Sequence, residues 1–161
     1  MIRKHKTFSW PRKLYDKTRI IEENKLVEKY GLRNKREIWR SEARVRYYRT
    51  RAKTLINASQ EEQRTFFSKL NAIGLQVNSI ADVLALTKEN ILKRRLSTIL
   101  VARGFATTPR QARQMITHRR VRIGARVVGS PSYIPAVEEE DVISVKASRM
   151  PVQAKTEEVT A

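Results

Sequence analysis

Residues 108–128, TPRQARQMITHRRVRIGARVV, hold six arginines and no acidic residue. A guanidinium is planar and always charged. Its fork donates to two oxygens of one phosphate, and its flat face stacks on an exposed base. Arg110, Arg113, Arg119, Arg120, Arg122 and Arg126 therefore carry the chemistry of a phosphate clamp. A second basic run lies in NKREIWRSEARVRYYRTRAKTLIN, where Arg36, Arg40, Arg44 and Arg51 recur at steps of four, four and seven. That spacing sets them along one face of a helix. A charge run on a helix is ordinarily a solvated face, but here few acids offset it, which favours a stripe facing phosphates. The first fifteen residues, MIRKHKTFSWPRKLY, have neither a helical nor a strand period. They mix Arg3, Lys4, Lys6, Arg12 and Lys13 with Phe8, Trp10 and Tyr15. Such a segment is either a disordered arm or an extended arm that orders on nucleic acid, with phosphates on the cations and bases against the rings.

The surrounding pattern shows what must hold these side chains. DKTRIIEENKLVEKYG predicts a helix from Asp16 or Thr18, stopped by a left-handed Gly31. Asn34 and Glu37 are spaced as an N-terminal capping pair, and Ile38, Val45, Tyr48, Ala52 and Leu55 follow as an apolar stripe. Ser59 and Glu62 open a helix carrying Phe66, Phe67, Leu70 and Ile73 that ends at Gly74, and Ser79 to Leu86 reads as a short helix. Thr87 precedes KENILKRRLSTILVAR, which reads as one helix burying Ile91, Leu92, Leu96, Ile99 and Leu100 before Gly104. Thr108 then caps a helix with Pro109 in its first position and Gln111 completing a capping box. Ala112, Met115 and Ile116 face inward, which leaves Arg110, Arg113, Gln114 and Thr117 outside.

After His118 the period changes to two. Val121 and Ile123 point one way and Arg122 the other, Gly124-Ala125 fits a two-residue turn with glycine first, and Arg126-Val127-Val128 returns. SPSYI is a loop leading to a further strand signal, Glu138 to Asp141 reads as a turn or surface edge, and VISVKA as the last strand. The arginines thus occupy only positions the apolar pattern leaves outside. They are expected to converge on one surface where helix meets hairpin.

Composition sets the limits. The chain has 161 residues, 34 Lys and Arg against 16 Asp and Glu, and a formal charge of +18. Self-repulsion of that size suggests a polyanionic partner. The charge is concentrated: residues 1–54 carry +12 and residues 90–137 carry +10, while 55–89 carry −1 and 138–161 carry −3. There is no cysteine, which rules out disulfides, thiolate zinc sites and a cysteine nucleophile. The longest strictly apolar runs are four residues, as in Ile99 to Ala102, so no membrane span or secretory signal is expected, and a cytosolic protein is the default. The expected fold class is α+β: a basic arm (1–15), a helical domain (16–87), a small domain of two helices, a β-hairpin and a few short strands (88–147), and a flexible tail (148–161).

The residues 88–146 resemble the S-four RNA-binding domain, through RRL, RGFATTPRQARQMI, THRRVRIGARVV, PSYI and EEDVISV. KYGLRNKREIWRSEA resembles a segment typical of the archaeal and eukaryotic branch of ribosomal protein S-four. The resemblance implies a small-subunit ribosomal protein that binds rRNA at a multi-helix junction early in assembly. It also implies contact with ribosomal protein S-five, a place near the path by which mRNA enters, and a role in translational accuracy. It implies no catalytic residue, cofactor, metal or small-molecule substrate. The matching RNA-facing positions are Arg94, Arg95, Arg110, Gln111, Arg113, Gln114, His118, Arg120, Arg122 and Arg126, with Arg95 equally suited to bracing the domain from inside. Two positions depart from the family: Arg119 stands where it carries glycine, and Gly124-Ala125 where it carries Asn-Gly.

Two other classes compete with this one. An enzyme lacks support, because His5 and His118 are far apart and no nucleophile motif, metal spacing or phosphate loop is present. An S-four-type module of an RNA-modifying or tRNA-related enzyme needs a catalytic domain, which the basic helical remainder does not supply. A DNA-binding helix-turn-helix concentrates its contacts on one recognition helix. Here cations occupy both halves of the chain, and a hairpin follows the second helix, as suits a broad hold on folded RNA.

Overall fold

The computed structural model describes residues 6–146. Arg3, Lys4 and the tail from 148 lie outside the described residues. Among the described residues, eight helices and three short strands run in the order α1 (Lys17–Tyr30), α2 (Arg36–Thr54), α3 (Gln60–Ala72), α4 (Ile80–Ala85), α5 (Lys88–Lys93), α6 (Leu96–Ala102), α7 (Pro109–Thr117), β1 (Val121–Ile123), β2 (Arg126–Val127), α8 (Val137–Asp141) and β3 (Ile143–Val145). The α+β class expected from the sequence is the observed one.

Caps and glycines fall where their chemistry requires. Asp16 accepts from the amides of Thr18 and Arg19, and Gly31 closes α1 at φ 58°. Gly31 also sits where α1 meets α7: a Cβ there would lie 2.9 Å from Pro109 Cβ, so only glycine allows this approach. Ser79 and Asp82 form a reciprocal capping box on α4. Thr108 accepts from the Gln111 amide, but the Gln111 side chain turns to the amide and hydroxyl of Thr107.

The apolar stripes pack into three connected clusters. α1 and the start of α2 enclose Leu26, Tyr30, Leu32, Ile38 and Leu92. The rest of α2 packs with α3 and α4 around Val45, Ala52, Leu70, Val83 and Ile91. Leu96, Leu100, Ala112, Ile116, Val121 and Ile143 form the core of the C-terminal part, between α6, α7 and the sheet. That sheet is antiparallel, in the order β2-β1-β3, with Ile123 opposite both Arg126 and Ile143.

Four expectations are corrected. The single helix over 88–103 is two helices, broken at Arg94–Arg95. Arg95 is extended, at φ −75° and ψ 144°, and the Leu96 amide donates to the Tyr133 carbonyl at 2.8 Å. The break turns Ile91 and Leu92 into the N-terminal cores and Leu96, Ile99 and Leu100 into the C-terminal one. The Asn34–Glu37 capping pair does not form: α2 begins after Lys35 with no side-chain cap, because the Glu37 carboxylate is held elsewhere. The acidic run is neither a turn nor a bare edge. It forms α8, and no strand follows Tyr133 before it.

Candidate nucleic-acid interface

A partly buried ion-pair triad centred on Glu37 joins the N- and C-terminal parts. Arg95 Nη2 donates to its Oε2 at 2.6 Å, and Arg113 grips both oxygens, Nη2 to Oε1 at 2.6 Å and Nη1 to Oε2 at 3.2 Å. The three residues come from α2, the α5–α6 break and α7. Burial by itself raises the Glu37 carboxyl, but the hydrogen bonds from Arg113 and Arg95 outweigh it and hold the group below its ordinary value. Arg95 also donates to Ser132 Oγ. Arg95 is only 4% exposed, so the structure corrects its place among the RNA-facing residues and assigns it the bracing role. Arg113 has its fork on both Glu37 oxygens, with its side chain 23% exposed.

Arg94 is turned inward as well. Its Nε donates to the Ile73 carbonyl at 2.7 Å, and its guanidinium pairs with Glu140 of α8. Arg103 pairs with Asp141 at 2.9 Å. The acidic helix thus neutralises arginines of its own chain and fastens the end of α3 and the α6 side of the C-terminal unit together.

The remaining cations near α7 and the hairpin divide by register. Arg122 lies opposite Val127 and Ser144, on the solvent face of the sheet. Arg126 lies opposite buried Ile123, and so on the other face. There it donates to Tyr133 Oη at 2.8 Å and sits over that ring, 5.3 Å from its centre, with Glu139 beyond. Tyr133 Oη in turn donates to Glu139 at 2.6 Å. Arg113 and Arg126 are thus engaged by carboxylates of the same chain. Arg110, Arg119, Arg120 and Arg122 have no carboxylate partner among the described residues. Gln111, Gln114 and His118 are exposed around them.

Arg119 adopts the left-handed conformation, at φ 56°, where the side chain of any L-residue is strained. Gly124 is likewise at φ 56°, in the first position of the two-residue turn between β1 and β2. Replacing Arg119 by glycine is expected to raise stability by about 1 kcal/mol in urea unfolding while lowering RNA affinity. Unchanged affinity would remove Arg119 from the interface.

The second cationic surface is α2 with the arm. Arg36, Arg40, Arg44 and Arg51 are exposed and lack carboxylate partners among the described residues. The described part of the arm is folded back onto α2. Trp10 packs on Trp39 at 5.1 Å between ring centres and Phe8 on Trp39 at 6.1 Å. Arg36 lies over Trp10 and Arg40 over Phe8, at 5.7 and 6.0 Å. The arm rings thus meet the protein first, although Trp10 keeps 52% of its surface exposed. Lys6, Arg12 and Lys13 are exposed alongside.

Residues 94–143 match the S4 domain family. Over 150 residues the chain is 43% identical to the small ribosomal subunit protein uS4 of Thermoplasma acidophilum, a match covering 87% of this chain and 75% of that protein. It is 38% identical over 144 residues to uS4 of Hyperthermus butylicus, covering 86% and 82%. It is 41% identical over 148 residues to uS4 of Korarchaeum cryptofilum, covering 88% and 89%. The chain belongs to the uS4 family.

The uS4 similarity spans both cationic surfaces, since a match of this extent takes in α2 and α7 alike. Three residues of the cationic surfaces stand apart from the sequence pattern. Glu37 has the spacing of a cap and is one of two acids, with Glu42, in that basic run. Trp39 reads as one more apolar position, and it is the seat of the arm. Tyr47 belongs to no apolar stripe, and it is 65% exposed. Among the described residues no group of His, Asp and Glu could hold a metal ion, and no helix is long and apolar enough to cross a membrane.

Proposed function

We propose that this chain is a structural, non-enzymatic protein of the small ribosomal subunit that binds small-subunit rRNA directly, on the ribosome in the cytoplasm. Membership of the uS4 family supports it, and the S4 domain supports rRNA binding. The observation that carries the reading is charge without internal compensation. One set of cations lies on α7 and the hairpin and another on α2 and the arm, on either side of the Glu37 triad. Fixed cations on both sides of one rigid joint suit several RNA helices meeting at a junction, where they lower the repulsion between closely spaced phosphates.

The binding set is Lys6, Trp10, Arg12, Lys13, Arg36, Arg40, Arg44, Arg51, Arg110, Gln111, Gln114, His118, Arg119, Arg120 and Arg122. Arg126 is its half-occupied margin. The mechanism is binding and nucleation of assembly. Contact with ribosomal protein S-five, a position near the entering mRNA and an influence on accuracy follow from the family resemblance, and belong to the same proposal.

Titrating the full chain against a junction RNA and a duplex DNA over a range of salt tests this reading. Engagement of about eight phosphates gives a log–log salt slope of about −6 to −7 for the RNA. Equal affinity for both nucleic acids, or a slope near about −2, would overturn it.

A further inference from the structure

Between the arm and α2 runs a groove lined in part by the binding set above. Lys6 and Phe8 form one wall, Arg40, Arg44 and Tyr47 the other, and Ser132 closes one end. A deeper crevice continues from it, sharing Arg40, Arg44 and Ser132 and reaching Glu37 and Arg95. Its floor is positive, because the single Glu37 carboxylate faces two guanidiniums, Arg95 and Arg113. Two buried nitrogens of Arg95, Nε and Nη1, have no hydrogen-bond partner among the described residues.

Arg40, Arg44 and Tyr47 follow one another at steps of four and three, so they form a row on one helix face. The two arginines have no carboxylate partner among the described residues, while Tyr47 offers a flat ring with 65% of its surface exposed. A duplex presents phosphates to such a row but keeps the faces of its bases stacked within the helix. An acidic peptide suits the cations but uses the ring only where it also carries an aromatic or apolar side chain. An unpaired nucleotide uses both at once, with its phosphates on the arginines and its base on the tyrosine.

We infer that this groove holds an unpaired nucleotide of the bound RNA, as in a bulge or a junction strand, with its base stacked on Tyr47 and the flanking phosphates on Arg40 and Arg44. The inference rests on the rRNA-binding reading above and specifies the form of RNA that the site takes.

The test uses the full chain and two RNAs with the same helices, one with unpaired nucleotides at the junction and one fully paired. Tyr47→Ala is expected to weaken binding to the first about tenfold and to the second less than about twofold, and Tyr47→Phe to restore the first. Circular dichroism should be unchanged, since the ring is exposed. Tyr47→Ala binding the unpaired RNA as tightly as the wild type would overturn the inference and leave rRNA binding standing; a protein segment as the groove's occupant predicts that outcome. An equal loss on both RNAs would also overturn it, by making the ring a general contact. Failure of the wild type to bind either RNA would overturn both readings.

Discussion

Replacing Glu37 by alanine is expected to destabilise the protein by about 3–5 kcal/mol. The size comes from what is left behind. Arg95 is 4% exposed, and two of its nitrogens lack partners among the described residues, so loss of the carboxylate strands a buried charge. Arg113 is less confined and can swing into water, with its side chain 23% exposed. Arg113→Ala is therefore expected to lose much less than Glu37→Ala, because Arg95 keeps its carboxylate. Urea unfolding of the two variants beside the wild type measures both. Equal, small losses would mean that Arg95 reaches solvent and that the triad is not a joint.

The same residue fixes the acid side of the stability curve. The Glu37 carboxyl is held below its ordinary value of 4.5, so the folded state binds a proton there less readily than the unfolded chain. Its contribution is complete above that ordinary value and fades as pH falls through the lower, folded one. The wild type should lose stability over that interval more steeply than Glu37→Ala, which has no such group to protonate.

Much of this fold is legible in local chemistry. Gly31, Ser79 and Thr108 punctuate the helices where the sequence places them, since caps and left-handed stops depend on residues a few positions apart. The period change after His118 yields β1 and β2 with the expected turn. What escapes is set by partners far along the chain. The break at Arg95 depends on the Tyr133 carbonyl, and Glu37 is claimed by arginines 58 and 76 residues away. The cationic blocks are evident in the sequence, but which arginines remain free is not. Arg94, Arg95, Arg113 and Arg126 resemble their neighbours in type and spacing. Their counter-charges, Glu37, Glu139 and Glu140, lie elsewhere in the chain and reach them only through tertiary packing.

This sorting changes which variant tests the interface. Arg110, Arg120 and Arg122 have no carboxylate partner among the described residues, so replacing all three by alanine should leave circular dichroism and the urea midpoint close to wild type. RNA affinity should fall about 100-fold, on the scale of about 1 kcal/mol for each arginine–phosphate pair removed. The salt slope should become shallower by about 3, one for each phosphate released. Adding Arg113→Ala to the three is expected to act chiefly on stability, since that guanidinium serves Glu37. If instead the triple variant unfolds, the three arginines are structural. If Arg113→Ala alone produces the larger loss of affinity at unchanged stability, its fork must leave Glu37 for the RNA, and the joint between the two cationic surfaces would have to open on binding.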